Sequence, residues 1–432
     1  MERFTLINYR TLIVIFSEVF AISLVMLFSN PFIHIFAIWA FAIVACILVG
    51  FDLIHPYCWF SLSFALYNTA YTILYAMNYD TSAGYSSKNS LFTLIAMGIV
   101  LVIVGGEQVE KDKPFTREFT VNTKYNDIAF YVLAVLSIVF AFILLRRGYI
   151  GKKAMQEAND VFYSLGVHII RWMLVLMVIQ MCYTKCENKK KNFFYIVASL
   201  AAALLLGLFT GERDIIFRTV LLWIVIFFFF KIITRKHLFI FIPLGALMMI
   251  LSVNFKYFFL RGEVNTNHSS GSLLYQFLMS DFYATGRNTQ YLLNVRWTKG
   301  YWGFRLLFNE IARGNIPFVE TFNPATWYNY NVYPGSFKGQ AFTYVGFGYT
   351  MAGIWGIIIV FALLGLFIRF VYRNHNRNLY SLVYYIYSIS IVIGCYRGTI
   401  NSIIGMSLKG ALVGILISVF LARFANKRRF QK

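Results

Sequence analysis

The sequence predicts an all-α, polytopic integral membrane protein: a bundle of about twelve transmembrane helices with one large external loop that carries short helices of its own. Three observations lead there. Of the 432 residues, 59% are hydrophobic and 13% charged, and the mean hydropathy is +0.65. A soluble domain of that composition would expose too much apolar surface. The apolar residues fall in runs of about 20, the length that crosses a hydrocarbon layer. Lys and Arg gather at alternate ends of those runs.

In chain order the candidate spans are 11–28, 31–50, 57–77, 90–106, 127–145, 166–183, 193–210, 214–233, 238–256, 345–369, 379–396 and 402–422. The start, MERFTLINYR, leads into a run too long for a signal-peptide core and without a small-residue cleavage site, so it is read as a span. With the N-terminus inside, the cytoplasmic connections are 107–126, 184–192, 231–237, 369–378 and 423–432. Together with Arg3 and Arg10 they hold 21 of the 39 Lys and Arg residues. That distribution obeys the positive-inside rule and places both termini in the cytoplasm. It also accounts for much of the net charge of +21, so nucleic acid is not an expected partner. The remaining cations lie outside or in the outer parts of helices, more than the rule leaves there, and they ask for an anionic partner. No internal repeat is visible. The chain divides into spans one to nine (1–256), an external loop (257–344) and spans ten to twelve (345–432).

The loop is the longest excursion from the membrane. Its 88 residues include seven Lys or Arg, four acids and 22 Phe, Tyr or Trp. Cations coordinate phosphate, and aromatic faces suit the C–H faces of sugar rings. Within it, SLLYQFLMSDFY and RLLFNEIA repeat apolar residues at helical spacing and predict short amphipathic helices.

Four constellations could carry chemistry. Gly211-Glu212-Arg213-Asp214, followed by Arg218, forms a tight outer turn. Asp214 and Arg218 are four apart and can pair on one helical face, leaving Glu212 and Arg213 to face something else. The alternatives are a solvated turn with a local ion pair, or an Arg donating to a diphosphate. Asp281 and Arg287 flank a Thr-Gly break and could share a pocket or form a surface salt bridge. Cys395-Tyr396-Arg397-Gly398 ends the eleventh span. Lys409 lies well inside the twelfth, where an ammonium is costly unless paired or hydrated, so it is expected to face the bundle interior. Last, Tyr333-Pro334-Gly335-Ser336 leads through Tyr344 to Gly346, Gly348, Gly353 and Gly356, glycines that allow close backbone approach as the chain returns to the membrane.

The five cysteines (Cys46, Cys58, Cys182, Cys186, Cys395) sit in or beside apolar runs and read as buried hydrophobes. Cys182 and Cys186 lack further ligands for a metal. The six histidines form no ligand spacing. There is no phosphate loop, HExxH, GxSxG or Asp-x-Asp. The sequence therefore asks for no metal and no cofactor.

The Gly-x-Arg turn (Gly211, Arg213), the single large outer loop and the run PGSFKGQAFTYVGFGYTMAGIWG resemble the oligosaccharide repeat-unit polymerases, also called O-antigen or Wzy-type polymerases. In that run Tyr344, Phe347, Gly348 and Gly353 meet a Tyr-x-x-Phe-Gly-x-x-x-x-Gly element. The resemblance covers nearly the whole chain. It implies a glycosyltransferase-C-type bundle in a bacterial inner membrane, in the branch shared with O-antigen ligases. The implied reaction moves a growing glycan from undecaprenyl diphosphate onto an undecaprenyl-diphosphate-linked repeat unit, beside membrane lipid, a chain-length regulator and a flippase. By the same analogy Arg213, Arg287 and Arg397 bind diphosphates. Arg218, Lys409 and Tyr344 are expected as further substrate contacts. Asp281 or Glu212 is the expected base for the acceptor hydroxyl. The ligase branch is associated with a loop histidine, but His268, alone in this loop, stands in an Asn-His-Ser-Ser setting that matches no such motif. Two other activities remain open: a ligase using the same donor, and a lipid-linked oligosaccharide flippase. The flippase would place its Arg cluster in a mid-membrane cavity, the polymerase at the outer face.

Overall fold

Several helix starts are written into the chain by capping residues. The Asn30 side chain accepts the Phe32 N–H (2.8 Å) with Pro31 opening the helix. The His55 ring accepts the Tyr57 N–H (3.1 Å) ahead of Pro56, and Asn122 accepts that of Tyr125 (3.1 Å). Each cap satisfies a donor that has no partner inside its helix, and proline at the first position gives up only such a donor.

The computed structural model describes residues 9–106, 121–147, 161–210, 213–237, 273–294, 301–316, 318–332 and 342–430, with 240–251 in part, and holds no strand among them. The helices are α1 (Tyr9–Leu27), α2 (Pro31–Leu48), α3 (Pro56–Ala76), α4 (Ser87–Val104), α5 (Thr123–Arg146), α6 (Val161–Tyr183), α7 (Lys189–Thr210), α8 (Arg213–Phe229), α9 (Leu273–Asp281), α10 (Tyr283–Asn294), α11 (Arg305–Ala312), α12 (Pro324–Asn331), α13 (Tyr344–Asn374), α14 (Leu379–Cys395), α15 (Ile400–Gly405), a π-helical segment (Met406–Leu412) and α16 (Val413–Phe430). Eight helices among the described residues are long and apolar enough to cross a membrane: α1, α2, α4, α5, α6, α7, α13 and the continuous run Ile400–Phe424. The protein is therefore a multi-pass helical membrane protein. Of the other sequence-predicted spans, 57–77 corresponds to α3, 214–233 to α8 and 379–396 to the shorter α14. The candidate 238–256 falls largely outside the described residues.

The chain forms two compact units. The first comprises residues 1–110, 272–373 and 392–404, the second 111–271, 374–391 and 405–432. In the first, α1 to α4 pack on one another, and α3 is buried along most of its length despite its tyrosines, Asn68 and threonines. Loop helix α10 packs against α3 and α4. Gly286 lets it approach Tyr71, where an added Cβ would meet the Tyr71 Cβ at 3.2 Å. Gln290 accepts the Ser86 N–H (2.8 Å), Asn294 donates to the Ala83 carbonyl (2.9 Å), and Tyr328 of α12 donates to the Asn288 carbonyl (3.0 Å). Bonds like these let a polar helix sit buried.

Helix α13 is broken at Ala352 and Gly353, and Gly353 takes a left-handed φ of 61°. The chain reverses there. A Cβ on Gly356 would lie 2.1 Å from the Gly348 carbonyl oxygen, and one on Gly348 would lie 2.9 Å from the Ile357 Cα. The sequence-predicted single span 345–369 is thus a short helix, 344–351, folded back on a crossing helix, 354–374. The cause is the glycine spacing, which leaves room for the Gly348 backbone to meet Gly356 and Ile357 directly.

In the second unit α6 is the central helix, with 78% of its apolar window buried. Asn126 of α5 donates to the Leu176 carbonyl of α6 (3.2 Å), and Asp127 accepts the Tyr195 hydroxyl and pairs with Lys191 of α7. Gly414 permits the close approach of α16 to Val175 of α6, since a Cβ there would fall 2.7 Å from the Val175 side chain.

Candidate functional site

The second unit carries four charged side chains on α6, α8 and the π-helical segment. Arg218 and Asp214, one turn apart on α8, pair at 2.7 Å. Arg218 also reaches the Met406 sulfur at the start of the π-helical segment. Lys409 lies in that segment, and its backbone carbonyl accepts the Trp172 indole N–H of α6 at 2.6 Å. Arg171 precedes Trp172. Arg171 and Lys409 both act electrostatically on His168, which stacks on Trp172, while Arg171, Arg218 and Asp214 all act on Tyr387 of α14. Gly410 holds the group close: a Cβ there would meet the Tyr387 hydroxyl at 3.2 Å. Three cations and one carboxylate leave this part of the unit with a net positive charge.

The π-helix explains the placement of Lys409. Its wider turn shifts the residues that follow and frees a carbonyl, and such segments recur at functional sites. The expectation that Lys409 faces the packed interior is corrected. Lys409 is exposed, Gly410 and Ala411 are buried, and the contact to the neighbouring helix is made by the Lys409 backbone.

Arg171 escaped the sequence reading although the signal was present: a single Arg inside the apolar run VHIIRWMLVLM. Arg171 makes no hydrogen bond or ion pair among the described residues. It is half-buried on α6, the most buried of the candidate spans.

In the first unit, Arg287 of α10 lies over the Tyr283 ring (5.4 Å to the centroid) and donates to its hydroxyl at 3.4 Å. A different pair dominates the loop. Glu310 of α11 is fully buried, and Arg313 grips both of its oxygens (2.8 and 2.7 Å). Thr399 donates to the same carboxylate, and Asn401 donates to the Glu310 and Arg313 carbonyls. This clasp fixes the loop beside the turn that carries half-buried Arg397. Tyr344, expected to touch substrate, is instead fully buried against Phe347 and Phe361, with its N–H bonded to the Tyr396 carbonyl (3.1 Å). Its ring has no face left for a ligand, and its place is structural. A further charge missed in the sequence is Glu18, half-buried on α1 over Gly98 of α4, where a Cβ would come within 1.9 Å of its carboxyl carbon.

Glu212 and His268 lie outside the described residues. Arg213 opens α8 and Asp281 closes α9, with side chains outside the described set. Among the described residues no group of three or more His, Cys, Asp or Glu could hold a metal, and all five cysteines are buried thiols. The chain matches no protein-family model, no curated protein and no solved structure.

Proposed function

We propose that this protein is a polymerase of a bacterial surface polysaccharide, seated in the inner membrane with twelve spans, both termini cytoplasmic and its site open to the outer face. It transfers a growing glycan from undecaprenyl diphosphate onto an undecaprenyl-diphosphate-linked repeat unit. The bond between the donor's anomeric carbon and a phosphate oxygen breaks, and a glycosidic bond to the acceptor hydroxyl forms. That hydroxyl's proton passes to a base, and undecaprenyl diphosphate leaves.

The observation that carries this reading is the group of Arg171, Arg218 and Lys409 in the second unit, where Arg218 pairs with Asp214 and the other two act on His168. A departing diphosphate gains charge, and cations already oriented by packing stabilise it without reorganising. Guanidinium forks can each hold two phosphate oxygens, while the lysine supplies a point charge. Arg213 opens the same helix as Arg218 and stands next to the outer turn in the sequence. A carboxylate takes the acceptor proton, with Glu212 or Asp281 proposed for that role from the sequence; separately, within the first unit, Arg287 over Tyr283 pairs a cation with an aromatic face.

A lipid-linked oligosaccharide flippase is the second reading, favoured by depth. Arg171 and Lys409 lie roughly 15 Å and 14 Å along their helices from the ends assigned to the outside, at about 1.5 Å per residue. The surface glycan of a deletion strain separates the readings. Single repeat units on the acceptor or the carrier are expected for a lost polymerase. Complete loss of surface glycan would favour the flippase, and finished long chains held on the carrier would favour a ligase.

A further inference from the structure

Loop helix α11 turns one face inward and leaves the other uncovered. At about 100° per residue, Phe304, Phe308 and Ile311 project within an arc of roughly 60°. All three are exposed, Phe308 at 69%. Leu306, Glu310 and Arg313 point the opposite way. Leu306 is buried, and the other two are held by Thr399 and Asn401. Beyond the helix, Ile316 and Phe318 continue the apolar surface, and Phe318 is fully exposed. Three large apolar side chains on one helical face, opposite a clasp that fixes the helix's rotation, call for an apolar or amphipathic neighbour.

The break in α13 sets the height of this helix. The segment 354–374 is roughly 31 Å long at 1.5 Å per residue, one membrane crossing, and it ends beside Arg369, Arg373 and Arg377. Residues 352–353 therefore sit at the opposite membrane–water boundary. The reversal frees the Thr350 and Met351 carbonyls, which the N–H groups of Trp302 (3.1 Å) and Gly303 (2.7 Å) satisfy. The Tyr301 hydroxyl lies over Gly353, where a Cβ would meet it at 3.1 Å. Phe304 is the next residue, so α11 starts at that boundary. On the other side of the junction, exposed Trp355 begins the outward stripe of the crossing helix, which runs on through Leu363, Leu366 and Phe370. In a membrane-crossing helix such a stripe faces lipid. Helix α11 starts next to the beginning of that stripe, across a junction closed by two backbone hydrogen bonds.

We infer that α11 is an interfacial helix and that the occupant of its apolar face is the lipid of the leaflet on that side. Phe304, Phe308 and Ile311 sink into the boundary between headgroups and acyl chains, and exposed Arg305 reaches the phosphates beside them. The lipid contact anchors the loop, while the Glu310–Arg313 clasp sets its rotation.

The test uses the full chain in phosphatidylcholine–phosphatidylglycerol vesicles. The native cysteines are all buried, so a nitroxide can be placed at Phe308→Cys and, separately, at Phe304→Cys. Glu320→Cys serves as the water-exposed reference. Collision with oxygen, which concentrates in lipid, is compared with collision with a water-soluble nickel chelate. The expected result is an oxygen-to-nickel ratio several-fold higher at both phenylalanine positions than at the reference. Equal nickel access at all three positions would overturn the inference in favour of water. Protection from both probes, with spin–spin broadening that grows with protein-to-lipid ratio, would overturn it in favour of a second copy. If one phenylalanine variant does not assemble, the other gives the same reading.

Discussion

Arg171→Ala is expected to abolish long-chain glycan while the amount of protein in the membrane stays near normal. Both halves follow from its surroundings. Arg171 shares no ion pair with a described carboxylate, so its loss strands no buried charge and the fold keeps its contacts. In the proposed reaction the departing diphosphate, by contrast, would lose one of its stabilising cations. Removing one preoriented donor from a site sheltered from water costs about a hundred- to a thousandfold in rate. Arg171→Lys should restore only part of the activity, because a point charge lacks the planar fork. Arg218→Ala is a less clean test, since it leaves Asp214 without its 2.7 Å partner. Gel profiles of surface glycan beside immunoblots of membrane fractions read both quantities. Normal ladders from both Arg171 variants would mean that the cluster does not meet substrate.

The second large effect is on stability. Glu310 is fully buried, whereas the Arg313 side chain keeps 26% exposure. Removing the cation is therefore worse than removing the acid. Arg313→Met strands a carboxylate in a dry site and should cost about 3–5 kcal/mol, the range for a broken buried pair. Glu310→Gln keeps the shape and part of the hydrogen bonding, and should cost less. The double variant Glu310→Leu/Arg313→Met removes both charges and should be more stable than Arg313→Met alone, because burying apolar groups carries no desolvation penalty. Thermal unfolding of the purified protein in detergent reads the order of the variants. An unchanged melting temperature for Arg313→Met would show that the clasp contributes nothing.

Much of the fold was legible because membrane crossing is governed by length and apolarity, which a sequence displays directly. Asn30-Pro31 and His55-Pro56 mark helix starts, and the apolar runs of α1, α2 and α4 to α7 leave little choice. The break in α13 was not legible as a reversal. Gly348, Gly353 and Gly356 announce close backbone approach, but hydropathy is the same whether the chain runs straight or folds back. Helix α10 misleads in the other direction: YATGRNTQYLLN is polar enough to read as solvated loop, yet Gln290 and Asn294 bond to α4 and the turn before it and bury it. Of the candidate site, Asp214, Arg218 and Lys409 were readable as charges in costly places. Arg171 and Glu18 gave the same signal and were overlooked beside the loop. What joins Lys409 to Trp172 is a π-helical carbonyl, and no residue pattern announces a change of helix type.

The most direct measurement reconstitutes the purified protein in vesicles with an undecaprenyl-diphosphate-linked oligosaccharide as the sole glycan. Products are then separated by the number of repeat units, and free undecaprenyl diphosphate is quantified. The expected result is a ladder that lengthens by whole repeat units, with one undecaprenyl diphosphate released for each bond formed and with both signals lost in Arg171→Ala. Oligosaccharide that crosses the bilayer unlengthened, with no carrier released, would contradict the polymerase and leave the cation cluster to a transporter.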